Sequence, residues 1–533
     1  MPVRSPYPDV DVPDVSLPEY LFGRGFGEHA ELPAFVDGTT GAAVTFGELH
    51  EQVRRIAAAL AERGIGHGDV VALYAPNSPA WAAVFHGVLR ANAVLTTVNS
   101  LYTAGELAAQ LADCRARMIV TVAERLDRVA AAAKEVGLDD EAVVVIDGAD
   151  GHPSLADLLA CTAAPPADRA GPGDTAVLPY SSGTSGRAKG VILTHRNLVA
   201  NLQQLRAITV VDPGERGVAV LPFFHIYGMT CLLNQAIDRR CTVVTLPRFD
   251  LAEFLRVIAE HRVHRVLAVP PILVALAKHP MVDSYDLSSV EIISSGAAPL
   301  DGELARAVER RLGCQVKQGY GMTELSPVSH AFPDRVDPDV ATVGPLLPNM
   351  EAMVVDPASG AEVPTGERGE LWCRGPNVMS GYLNDPEATA ATLDAGGWLH
   401  TGDLATVNAD GVFTIVDRLK ELIKYKGWSV APAELEAVLL THDRIADAAV
   451  IGVRAADGEE VPKAFVVPRA GADLTAADVT AFVAERVAPY KKVRAVEFVD
   501  AIPKSAAGKI LRKDLRAREA TIRPAPRPAE TGA

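Results

Sequence analysis

The stretch "PYSSGTSGRAKGVILTHRN", residues 179–197, sets glycines, small hydroxyl residues and a lysine between two apolar runs. Glycine lets backbone N–H groups close on phosphate oxygens, hydroxyls add donors and lysine adds charge, so the stretch has the parts of a phosphate cradle. It is not a Walker loop. That pattern needs Gly-Lys-Ser/Thr, whereas Lys189 stands three residues after Gly186 and is followed by Gly190 and the strand-like "VILT". A plain surface loop can share this composition, so the surrounding chain has to decide between the two.

Upstream, from about residue 40, β-branched runs alternate with helical periodicity: "DVVALYAP", "PAWAAVFHGVLRAN", "AVLTTVN", "TAGELAAQLADCRAR", "MIVTVAE". That order predicts parallel sheets covered by helices. After the linker-like "TAAPPADRAGPGD" at 162–174, a second series runs through "VAVLPFF", "CTVVTLP", "DLAEFLRVIAEHR", "VHRVLAVP" and "VEIISS". Past about residue 340 short strands and glycines predominate, and from Lys420 helices and strands mix again. The expected fold is α/β. A large N-terminal domain, 1–419, comprises two doubly wound αβ layers (about 1–170 and 171–340) and a small β-rich subdomain (341–419). A smaller mobile α+β domain, 420–516, follows, and then a tail, 517–533, expected to be disordered.

The chain has 533 residues, 48 % of them hydrophobic, and can bury several cores. Its net charge of -16 argues against nucleic acid or an anionic membrane as a partner. The six cysteines are scattered without a Cys-x-x-Cys pair and read as reduced thiols. "MPVRSPYPDVDVPDV" is not a secretion signal, and Ala80–Val98 is interrupted by His86, Arg90 and Asn92, so no membrane span is expected. These features fit a cytoplasmic enzyme, monomeric or homodimeric.

"YSSGTSGRAKGVILTHRN" resembles the phosphate-binding signature of the AMP-forming adenylating superfamily. Further matches follow in that superfamily's order: "LPFFHIYG" (221–228), "SSGAAPL" (294–300), "QGYGMTE" (318–324), "WLHTGD" (398–403), "DRLKELIKYKGWSVAPAELE" (417–436) and "PKSAAGKILRK" (503–513). Within the superfamily the wording is most similar to the 4-coumarate:CoA ligases. Ser185, Ala188 and Trp428 depart from the usual Thr, Pro and Phe/Tyr, and none removes a charge or hydroxyl the chemistry needs.

The resemblance implies two half-reactions. A carboxylate attacks the α-phosphate of ATP with loss of pyrophosphate, and the thiol of CoA then takes the acyl group. A negatively charged nucleophile must approach a polyanion, so preorganised positive charge and N–H donors are required. Ser181, Ser182, Gly183, Thr184, Ser185 and Lys189 would cradle phosphate, with Thr184 counted as catalytic. Glu324 would hold Mg²⁺ and Asp403 the ribose hydroxyls; each alone would read as a helix cap and a turn aspartate. Gln318, Gly319, Tyr320 and Thr323 would line the nucleotide site. Lys509 would bridge carboxylate and α-phosphate, Arg418 would contact the nucleotide, and Lys420 would be hinge and adenylate contact. Lys424 would meet the adenylate, while Lys426, Gly427 and Arg248 would meet CoA. A helix through this run would place Lys420 and Lys424 on one face.

The acyl wall implied is Tyr227, Cys231, Gly296, Ala297, Gly319, Gly321, Pro327 and Val328, its glycines letting a flat ring slide against backbone. Tyr227 would hydrogen-bond a ring hydroxyl, and His225 would act as gate or wall. The expected substrate is 4-coumarate or a related hydroxycinnamate. A medium-chain fatty acid, or an adenylation enzyme loading a carrier protein, is the alternative. A phosphotransferase would give ADP instead of AMP, and a non-catalytic interaction protein would not need Lys509, Glu324 and Asp403.

Overall fold

Alternating apolar strands and amphipathic helices produce two seven-stranded sheets in the computed structural model, which describes residues 2–181, 188–334, 336–426, 428–455, 459–505 and 508–522. In the first sheet Val94–Thr97, Val70–Tyr74, Ala116–Thr121 and Val143–Val145 run parallel beside Thr175–Ser181. Lys189–Thr194 and Gly381–Tyr382 then extend that edge antiparallel. The second sheet orders Gln315–Gln318, Ile292–Ser295, Arg265–Ala268, Arg216–Ala219 and Thr242–Thr245 in parallel, followed by Pro33–Asp37 and its antiparallel partner Ala43–Thr45. Most of these strands are buried on both faces, which is why they read as continuous apolar runs.

Two expected boundaries are corrected by the pairing. Strands at 175–194 complete the first layer, not the second, and strands at 33–45 belong to the second layer, not the first. Strand partnership between residues as far apart as Leu95 and Val177, or Phe35 and Val243, leaves no local periodicity to read. The β-rich unit expected past residue 340 is an antiparallel five-stranded sheet of Glu351–Val355, Gly369–Arg374, Leu399–Val407 and Phe413–Arg418, with Val3–Arg4 as its edge.

Helices on these sheets begin at well-formed caps. Thr45 and Glu48 cap Phe46–Glu62 reciprocally, as Thr103 and Glu106 cap Ala104–Cys114. The two layers share one core. Trp81 of helix Pro79–Arg90 stacks on Phe85 at 5.4 Å and meets Phe223 at 5.4 Å, and Phe223 meets Phe35 of the second sheet at 6.3 Å. Polar bonds cross the same seam. Buried Asn77 donates to the carbonyls of Ala219 and Leu221 and accepts from the N–H of Phe223, while Thr97 donates to the carbonyl of Phe224. These bonds fix the segment that leads directly into His225.

The C-terminal unit packs helices Pro432–Leu440 and Ala476–Ala484 on the sheet Ile445–Arg454, Glu460–Pro468, Ala495–Phe498. Lys420 and Lys424 do not share a helix face. Leu419–Glu421 is a single 3-10 turn, and Ile423–Tyr425 pairs with Trp428–Val430 as a hairpin. Its alternation Ile423, Tyr425 and Trp428, Val430 suits a strand's period of two. Helix Arg512–Ile522 also runs past Ala517, where a disordered tail was expected to start. All six cysteines are unpaired. Among the described residues no helix is long and apolar enough to cross a membrane.

Candidate active site

Open α/β sheets bind ligands beyond the carboxyl ends of their strands. Here a cleft with a cavity volume of about 160 Å³ opens at Gly296 and Gln318–Gly319, beyond two such strand ends, and Lys509 of the C-terminal unit reaches into it. Every expected acyl-wall residue lines this cavity: Tyr227, Cys231, Gly296, Ala297, Gly319, Gly321, Pro327 and Val328. His225, Gln318, Tyr320 and Thr323 line it as well.

The glycines serve two different purposes. A Cβ on Gly296 would sit 3.0 Å from the Tyr227 ring, so the missing side chain lets that ring pack tightly against the backbone as one flat wall of the cavity. A Cβ on Gly321 would instead meet the Pro327 carbonyl oxygen at 2.1 Å, and one on Gly319 the His330 carbonyl oxygen at 2.9 Å. Those two permit the close approach of the Tyr320–Gly321 and Val328–His330 strands, and do not make room for a substrate ring. Ala297 follows with φ +68, turning the backbone sharply after strand Ile292–Ser295. Tyr227 donates its hydroxyl proton to the carbonyl of Ser294 at 3.1 Å, so toward a substrate hydroxyl it can only accept. Burial raises its pKa well above the usual phenol value.

Around Lys509 the charges converge. Burial, and then Arg418, lower its pKa to about 8, against the opposing pull of Asp403 and Glu324. His225 is held neutral, its pKa pushed down to about 3 by burial and by the neighbouring Lys509 charge. The loop reaches this depth because Gly508, at φ +77, passes over Val269, where a Cβ would come within 2.9 Å of a methyl. Glu324 is buried, and its Oε1 accepts from Tyr382 at 2.8 Å and from Ser181 at 3.3 Å. Asp403 is buried, accepts from the Tyr320 hydroxyl at 2.6 Å and lies 3.4 Å from Arg418 Nε. Lys189 sits over the Tyr382 ring at 4.9 Å and 3.5 Å from Asp385. Lys420 has its pKa lowered by partial desolvation, then by the charges of Arg418 and Lys189.

Tyr382, Asp385 and Ser294 were not found by sequence reasoning. Tyr382 arrives through a two-residue strand pairing with Val191, too short to leave a pattern. The side chain of Gln318 is spent on Leu300 and Val340, so it shapes the wall without offering donors to a nucleotide. The structure does not bring Lys424, Lys426 or Arg248 to the cavity. Lys424 donates to Ser429 at 2.8 Å, Lys426 lies over the Tyr425 ring at 5.6 Å, and Arg248 is exposed beyond strand Thr242–Thr245. Ser182, Gly183, Thr184, Ser185 and Gly427 lie outside the described residues.

The sequence profile of the AMP-binding enzyme family matches residues 24–383, and that of its C-terminal domain matches 434–509. The chain belongs to the AMP-binding enzyme family. It is 41 % identical to 4-coumarate--CoA ligase 5 of Oryza sativa subsp. japonica, covering 98 % of each chain, and 42 % identical to 4-coumarate--CoA ligase of Pinus taeda, covering 97 % of each. This family member is an AMP-forming acid–CoA ligase. Among solved structures it resembles the anthranilate CoA ligase AuaEII in complex with anthranoyl-AMP (TM-score 0.88, 26 % identity, 96 % of this chain and 98 % of that one). ATP-bound MatB from Rhodopseudomonas palustris aligns with a TM-score of 0.87 at 30 % identity over 96 % and 100 %, and apo MatB with 0.76.

Proposed function

We propose that this ligase activates a hydroxycinnamate such as 4-coumarate, forming the acyl-adenylate with loss of pyrophosphate and passing the acyl group to CoA with release of AMP. The observation that supports the aromatic assignment is the flat Tyr227 ring on the wall of the acyl slot, packed tightly on Gly296 and pinned through its hydroxyl by the Ser294 carbonyl. The carboxyl end of such an acid would point toward Lys509 and His225.

The residues divide the work as follows. Lys509, protonated, neutralises the carboxylate and α-phosphate as they meet, a task worth about 3 kcal/mol of barrier for one such group. Holding both reactants in attack geometry contributes a further ~7 to 11 kcal/mol. Asp403 accepts the ribose hydroxyls, for which an ionised carboxylate has lone pairs beyond the bond from Tyr320. Ser181 and Lys189, with the glycine-rich sequence between them, meet the β- and γ-phosphates.

Glu324 suits a Mg²⁺ that arrives with the triphosphate, because Mg²⁺ takes one or two carboxylates and completes its shell with phosphate oxygens and water. Among the described residues no group of three or more His, Cys, Asp or Glu could hold a metal, so the fit is to a one-carboxylate site. When bound, the ion supplies charge neutralisation on the leaving pyrophosphate.

For the second step the C-terminal unit turns about Lys420, withdrawing Lys509 and bringing Lys426 and Gly427 to where CoA enters. Pyrophosphate release across cinnamates, benzoates and C2 to C12 fatty acids, with and without CoA, tests the reading; preference for an acid without a ring would refute the aromatic assignment. One observation favours a second reading, a medium-chain fatty acid: besides the residues named above, apolar Leu267, Ile292 and Val243 also line the cavity, alongside the charged Glu215, Arg265 and Asp334.

A further inference from the structure

Helix Pro432–Leu440 lies just beyond the Lys420 turn and is the first helix of the C-terminal unit. The residue before it, Ala431, offers no side-chain cap. The N–H of Ala433 is satisfied instead from across the turn: Asp417 Oδ2 accepts it at 3.0 Å. Asp417 is buried and sits on strand Phe413–Arg418 of the five-stranded sheet. At the opposite end the carbonyl of Leu440, the helix's last residue, accepts from Lys278 Nζ at 2.9 Å. Lys278 ends helix Pro270–Lys278, which also precedes Lys420. A carboxylate therefore stands at the positive end of the helix and an ammonium at its negative end, each answering a backbone group the helix leaves unpaired.

The same helix is wired to the catalytic lysine. Its Glu436 is buried, accepting from Arg512 Nη2 at 2.6 Å and from the N–H of Val450 at 2.8 Å. Arg512 opens helix Arg512–Ile522, three residues after Lys509. Seating the helix therefore seats Arg512, and with it the loop that carries Lys509 into the cavity.

We propose that Asp417 and Lys278 are positioning residues that grip helix Pro432–Leu440 end to end and so hold Lys509 in the adenylate-forming arrangement, the grip being released for thioester formation. The inference rests on the two-arrangement reading above. Rotation about Lys420 carries the helix and leaves both gripping residues behind, so both bonds must break in the second step. The grip thereby sets how the enzyme divides its time between the two half-reactions.

The test separates the halves. Asp417→Ala and Lys278→Met are each expected to slow acid-dependent ATP–pyrophosphate exchange about fivefold, the usual effect of losing a helix-terminal partner. Thioester formation from supplied acyl-adenylate should be unchanged or faster. Asp417→Asn, which keeps an acceptor oxygen, and Lys278→Arg, which keeps the cation, should restore much of the exchange rate. A purely structural role would lower both halves together, and that outcome, or unaltered exchange in both variants, overturns the proposal. Lys278 is only half-buried, so its variant stays informative if Asp417→Ala fails to fold. Lys509→Ala is run in parallel. If it separates the half-reactions while the gripping variants do not, only the grip is wrong; if it does not separate them, the rotation and the grip fall together.

Discussion

Replacing Gly296 by alanine tests the shape of the acyl slot directly. The new Cβ would stand 3.0, 3.1 and 3.3 Å from Cε1, Cζ and the hydroxyl oxygen of Tyr227, several tenths of an ångström closer than carbon atoms normally rest. The ring cannot tilt freely, because its hydroxyl is bonded to the Ser294 carbonyl at 3.1 Å. Either that bond breaks, at about 0.5–1.5 kcal/mol, or the displaced Tyr227 ring takes the space of the substrate ring, at about 1–3 kcal/mol in discrimination. The ratio of kcat/KM for 4-coumarate to that for acetate, measured by pyrophosphate release, should therefore fall about 10- to 100-fold. Gly296→Leu should remove coumarate turnover altogether while acetate-sized acids still react. Tyr227→Phe, which frees the ring to tilt, should recover part of the loss in Gly296→Ala. Equal loss for both acids, or retained coumarate turnover in Gly296→Leu, would refute the slot.

Three other perturbations address the charges around it. Lys509→Ala should slow adenylation at least ~10²-fold while thioester formation from supplied acyl-adenylate stays near wild type; pyrophosphate exchange and thioester assays run side by side check this. Lys509 is lowered to about 8 and acts when protonated, so kcat/KM for ATP should be level below about pH 8 and fall ~10-fold per unit above it. In Lys509→Arg, whose guanidinium stays charged, that alkaline limb should vanish. Tyr382→Phe removes the 2.8 Å donor to Glu324 and should raise the Mg²⁺ concentration needed for half-maximal adenylation several-fold, read from a Mg²⁺ titration.

The layered α/β architecture was legible because buried parallel strands are continuous apolar runs and their helices keep a 3.6-residue period. The residues expected for an acyl wall could be named together because they sit inside short strings with fixed order, and all of them line one cavity. What could not be read depends on distant partners. Nothing local in Pro33–Asp37 says that it joins Thr242–Thr245. Gly319 and Gly321 look like room for a substrate until the carbonyls opposite them are known. The spacing of Lys420 and Lys424 is compatible with a helix, but Ile423, Tyr425, Trp428 and Val430 pair as a hairpin and aim the lysines elsewhere. Tyr382 enters by a pairing two residues long, beneath any periodic signal.

Ser181, the serine proposed to face phosphate, ends a strand of one sheet, whereas Gly296 and Gly319 follow strands of the other. On the proposed reading the two reacting partners are carried by separate slabs whose mutual angle is set by the Trp81, Phe85 and Phe223 knot and by Asn77 at its edge. Reaction distance in this ligase is accordingly a mechanical property of that joint, and a repacked aromatic far from any substrate atom should alter turnover without altering a single contact to ATP.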